Sequence, residues 1–90
     1  MDTQSRRIIT SLKAARTTLN WTQEDLAVRS GVSKVTIARM ESGMMSPRLT
    51  TVGKLKKTLD QAGVRIIDES PTGGFTLCVD GKVFEEASPL

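Results

Sequence analysis

Apolar residues recur at helical spacing through the first two-thirds of the chain and then switch to alternation. Ile8, Leu12, Ala15 and Leu19 stand three or four apart, which predicts a helix from about Ser5 to Leu19 with one buried stripe, after frayed residues 1–4. Asn20 tolerates the left-handed backbone that ends a helix. Trp21 then precedes Thr22, where an apolar side chain can staple the start of the next helix. Thr22 and Asp25 have capping-box spacing, and Glu24 with Asp25 suits the positive end of the helix dipole. This second helix buries Leu26 and Ala27 and ends near Ser30, with Gly31 in the turn and Val32 plugging the space between helices.

Ser33 is the expected cap of a third helix running to about Ser42 and stopped by Gly43. Ile37 and Met40 face inward, and Lys34, Val35, Thr36, Ala38 and Arg39 face out. Met44 and Met45 are read as cover for the core, and Pro47 keeps the third helix from resuming. A fourth helix follows from about Thr50, with Val52, Leu55 and Leu59 inward and Lys54, Lys56 and Lys57 solvated; Gly63 ends it. Val64–Ile67 is short and β-branched, Phe75–Val79 alternates, and Asp80-Gly81 is a hairpin signal leading into Lys82-Val83-Phe84. Cys78 is read as buried or interfacial, and residues 85–90 as loose. The fold class is therefore mainly α: four helices over residues 1–63, then a small β-strand or hairpin element over 64–90.

Composition narrows the possible functions. Ninety residues allow one modest core, and with aromatics at 3% that core must be aliphatic. A single cysteine excludes an internal disulfide, and the absence of histidine removes the commonest metal ligand; no metal or other cofactor is expected. No nucleophile stands beside an evident base and no glycine loop cradles phosphate, so an enzyme is not expected. No apolar run approaches a membrane span and no signal pattern opens the chain, which leads to the expectation of a cytoplasmic protein with no membrane partner. The net charge of +3 hides a division: residues 1–67 carry 12 Lys/Arg against 5 Asp/Glu, and residues 68–90 carry 1 Lys against 5 Asp/Glu. A basic body draws polyanions. Two capped helices around a tight turn, the second with an outer basic face, are also how a protein lays a helix in the DNA major groove.

Thr22-Gln23-Glu24-Asp25-Leu26-Ala27, Ser30-Gly31-Val32-Ser33, Thr36-Ile37, Glu41-Ser42-Gly43 and Pro47 fall in the order and spacing of the Cro/repressor-type (XRE) helix-turn-helix domain. The resemblance covers roughly Leu12 to Val64. It implies a compact helical regulator, usually dimeric on double-stranded DNA, in which Gln23 bonds a phosphate at the start of its helix. Lys34, Val35, Thr36 and Arg39 would meet base edges: Lys34 and Arg39 at guanine, Val35 at a thymine methyl. Ser33 would cap and lend helix-start amides to a phosphate, and Arg48 would clamp the backbone. Arg16 and Glu41 match family positions that form a structural salt bridge.

After Gly63 the chain departs from phage repressors and is similar to small regulators and to antitoxins that restrain persistence kinases, whose terminal strand pairs between subunits. Val64, Ile66, Phe75 and Leu77 are accordingly expected to dimerise, keeping Asp68, Glu69, Glu85 and Glu86 away from DNA. The expected function is a homodimeric repressor of a near-palindromic operator. Two alternatives stand beside it: an antitoxin that also binds a toxin protein, and a protein-interaction module that has lost DNA binding.

Overall fold

The computed structural model describes residues 2–68 and 72–86, the last of these by its backbone alone. Helix α1 spans Thr3–Thr18. It starts earlier than the apolar stripe alone suggests because Asp2 caps it, its carboxylate accepting the Ser5 amide at 2.6 Å. Thr3 and Gln4 are thus helical, contrary to the expected fraying. The buried stripe is Ile9, Leu12 and Ala15 with Ser11 and Arg16, while Ile8 and Leu19 are half-buried. Ser11 tolerates burial by donating its hydroxyl to the Ile8 carbonyl at 2.7 Å. Asn20 takes the left-handed backbone expected of it, at φ 61°.

Helix α2, Gln23–Ser30, opens on the complete Thr22–Asp25 capping box and closes at left-handed Gly31. Helix α3, Lys34–Glu41, is capped by Ser33, whose hydroxyl accepts the Thr36 amide. Helix α4, Leu49–Gln61, packs Leu55 and Leu59 into the core. Strands β1 (Val64–Ile67) and β2 (Thr76–Val79) pair antiparallel, with Val64 opposite Val79 and Ile66 opposite Leu77 on the inner face. Arg65, Ile67, Thr76 and Cys78 occupy the outer face and are exposed.

The expected third strand is instead a short helix, α5, Lys82–Glu86. Asp80-Gly81 does not make a hairpin here. The Asp80 carboxylate accepts the Lys82 amide at 2.9 Å and its carbonyl accepts the Val83 amide, so the pair opens a helical turn. Val83 is driven into the core against Gly63, whose backbone holds φ 106°. A Cβ at Gly63 would lie 2.7 Å from Val83 Cγ2, so glycine is required there twice over.

One apolar core runs across the boundary expected after Gly63. Val64 and Val83 are buried with Leu12, Leu26, Ile37, Met40, Leu55 and Leu59, and β1 packs on both α1 and α4. Val64 is 0% exposed in its own subunit. The dimer role assigned to it is therefore corrected: its side chain is already used. Ile66 and Leu77 are half-buried on the same core, and Phe75 is half-buried just before β2. Cys78 is exposed rather than buried. Met45 packs on the core as expected, whereas Met44 is 78% exposed and covers nothing. Asp68 pairs with Lys56, which removes Lys56 from the free basic face. Glu69 and residues 87–90 of the expected loose end lie outside the described residues.

Candidate nucleic-acid interface

A buried polar clamp sets the position of the candidate reading helix. Arg16 on α1 grips Glu41, the last residue of α3, with Nε and Nη2 each donating to a carboxylate oxygen at 2.8 Å. Its Nη1 donates to the Trp21 carbonyl at 2.7 Å. Gln23, the first residue of α2, donates its side-chain amide to the same carboxylate at 3.0 Å. The ion-paired side chains are 11% and 4% exposed, so the pair works away from solvent screening. Three helices thus meet on one carboxylate. The salt bridge expected from the resemblance is present; the Gln23 bond was not foreseen, because spacing along a chain carries no signal for a contact 18 residues apart.

This clamp fixes both ends of the two-helix unit. Ile37 and Met40, fully inside, set the rotation of α3. What remains outward is Lys34, Val35 and Arg39, all exposed, with Thr36 partly covered. Among the described residues no hydrogen bond or ion pair engages the side chains of Lys34 or Arg39. Thr36 is more constrained, since its hydroxyl accepts from Ser33 at 2.8 Å while Ser33 also caps the helix. Gln23 retains one amide hydrogen beyond the one donated to Glu41, and the first amides of α2 lie beside it.

Arg48 is exposed and stands at the N-cap position of α4 without making a side-chain cap bond, and among the described residues no ion pair holds its guanidinium. Leu49, not singled out from sequence, is 86% exposed next to it, and Val28 on α2 is 79% exposed. A first-turn apolar residue reads as core by type; only the rotation of α4 shows otherwise.

The Asp25 carboxylate, which accepts the Thr22 amide at 2.8 Å, is held below the usual aspartate range, first by that backbone hydrogen bond and then by the Thr22 hydroxyl. It therefore stays anionic at the α2 N-terminus. Among the described residues no three His, Cys, Asp or Glu side chains gather to hold a metal ion, and no helix is long and apolar enough to cross a membrane.

The surface these residues compose is a rigid, cation-edged helix with an apolar residue in its middle, flanked by amide donors at two helix starts. Such a surface can donate to base edges and to phosphate oxygens together. A family model described as helix-turn-helix matches residues 12–61, which spans α1 from Leu12 through the end of α4. No curated protein matches the chain.

Proposed function

Because the chain belongs to the Cro/XRE-type helix-turn-helix family and is a DNA-binding transcription regulator, we propose that it acts as a homodimeric repressor reading a near-palindromic operator through α3. The observation that carries this reading is the exposed, unpaired row Lys34, Val35 and Arg39 on a helix whose other side is locked by Ile37, Met40 and Glu41. Reading bases needs side chains that are free at their tips and fixed at their roots. Lys34 and Arg39 donate to guanine, Val35 meets a thymine methyl, and Gln23, the Ser33 cap and Arg48 hold phosphates. The protein works by binding, with no catalytic step.

One two-helix unit touches few base pairs, so specificity calls for two copies roughly 34–36 Å apart. Support for pairing through the C-terminal segment comes from its surface: Phe84 is 63% and Ile67 39% exposed, and among the described residues each strand of the two-stranded sheet keeps one edge without a strand neighbour. Pairing therefore uses the outer surface of the sheet and α5, with Ile66, Phe75 and Leu77 contributing only their uncovered parts.

Two measurements test the reading. In a selection from randomised duplexes, Arg39→Ala should lose about 1–3 kcal/mol on the preferred site and relax one position per half-site, while Gln23→Ala weakens all sequences evenly. An unchanged site ranking for Arg39→Ala refutes base reading by α3. In sedimentation at micromolar concentration, Phe84→Glu combined with Ile67→Glu should yield a folded monomer; an intact dimer places the interface elsewhere.

A further inference from the structure

A groove lies on the C-terminal side of α2, between the end of α4 and α5. Its walls are Leu19, Trp21, Arg29, Gln61, Lys82 and Val83, and it encloses about 410 Å³. That size falls within the roughly 300–1,000 Å³ of small-ligand sites. A smaller hollow of about 300 Å³ shares Trp21, Arg29 and Gln61 with it.

The wall chemistry is uneven in an informative way. Leu19 and Trp21 are half-buried and Val83 is buried, so one side is apolar. Among the described residues every charged group lining it is a cation. The Arg29 guanidinium sits over the Trp21 ring, 4.4 Å from its centroid. That stacking occupies the flat face of the guanidinium and leaves its N–H edge unused. Among the described residues no hydrogen bond or ion pair engages that edge. Asp25, one turn earlier on α2, turns its carboxylate back to the Thr22 amide. Lys82 Nζ donates, among the described residues, to the Gln61 carbonyl alone, at 3.4 Å. Among the described residues the groove thus combines two cations that form no ion pair, although the Asp25 carboxylate exerts a Coulombic pull on Arg29, with the part of Trp21 left uncovered by Arg29 and the aliphatic side chains of Leu19 and Val83.

We infer that this groove binds a small organic carboxylate with a flat apolar body. The carboxylate is shared by Arg29 and Lys82, and the body lies against Trp21, Leu19 and Val83. A planar carboxylate matches the fork of a guanidinium, which gives direction as well as charge. Inorganic phosphate would satisfy the cations and leave the apolar wall wet; a neutral aromatic would do the reverse. Only a ligand with both parts uses the whole groove. Because the walls come from α2 on one side and α5 on the other, an occupant bridges the two-helix unit and the C-terminal segment. The inference stands on the groove alone and holds whether or not α3 reads bases.

The test uses the full chain and 2-naphthoate as the probe, with 2-naphthamide and inorganic phosphate as controls. Trp21 is the one tryptophan, so its indole N–H gives a single NMR reporter inside the site. Naphthoate should move that resonance saturably and bind about tenfold tighter than the amide, as expected for a charge-assisted hydrogen bond gained. Phosphate should bind more weakly than naphthoate. Arg29→Gln and Lys82→Gln should each erase most of the acid-over-amide preference, and Arg29→Lys should restore part of it. Far-UV circular dichroism and melting confirm that the variants are folded. Equal binding of acid and amide, phosphate binding as tight as naphthoate, or an unchanged preference in the folded Arg29→Gln/Lys82→Gln double variant overturns the assignment. So does tighter binding of a short acidic peptide than of naphthoate, which would make the groove a protein-docking site.

Discussion

Replacing Glu41 with alanine isolates the physics of the clamp. The substitution removes two charge-assisted bonds to Arg16 at 2.8 Å and the bond from Gln23 at 3.0 Å, and leaves Arg16, 9% exposed, holding only the Trp21 carbonyl. Stranding a buried charge costs about 3–5 kcal/mol. Against the 5–15 kcal/mol that holds a typical domain together, this is a large share. At roughly 4–8 °C per kcal/mol for a domain of this size, the melting temperature should fall by roughly 12–40 °C. Urea unfolding followed by Trp21 fluorescence and far-UV circular dichroism measures the loss. The mechanism makes a sharper demand on the pair. Arg16→Met with Glu41→Leu, which removes both charges and refills the volume, should be far milder than Glu41→Ala alone, because the cost lies in the orphaned charge. If Glu41→Ala costs under about 1 kcal/mol, or if the double variant loses as much as the two single changes together, the clamp is a surface pair in effect and the reasoning fails.

Gly63→Ala should destabilise by at least roughly 1–3 kcal/mol from the left-handed backbone alone, and the new Cβ, 2.7 Å from Val83 Cγ2, should loosen α5 first, seen as faster amide exchange at Val83 and Phe84. The Asp25 carboxyl should titrate below the usual 3.8. Its folded value is depressed, so the capping box contributes fully above the unfolded value and is lost as pH falls through the folded one; helix α2 should be insensitive to pH above about 4. Carboxyl chemical shifts across pH 2–6 give the midpoint, and one at or above 3.8 contradicts the capping geometry. DNA affinity should fall with salt at a log–log slope near −0.9 per phosphate neutralised, and Arg48→Ala should flatten that slope by about one unit; an unchanged slope removes Arg48 from the interface.

What the sequence determined by itself is the local structure from Asn20 to Gly43. Thr22 with Asp25, Ser33, Gly31 and Gly43 act within four residues of themselves, through caps and left-handed turns, so their effect is written in short spacing. The inward positions Leu26, Ile37 and Met40 follow from the same short period, and so does the outer row of α3. Tertiary structure decided the rest. Gln23 meeting Glu41, Arg29 lying over Trp21 and Lys82 reaching the end of α4 all join residues whose separation in sequence carries no periodicity. The segment after Gly63 shows the limit most clearly. Lys82-Val83-Phe84 has strand-like residues, yet it forms a helical turn, because Asp80 caps it and Val83 finds a place in the core above a glycine without a side chain. Val64 looks like an edge residue seeking a partner until the packing of β1 on α1 and α4 buries it completely. A β-branched run states that it must be covered; which surface covers it is settled only when the whole chain competes for the same core.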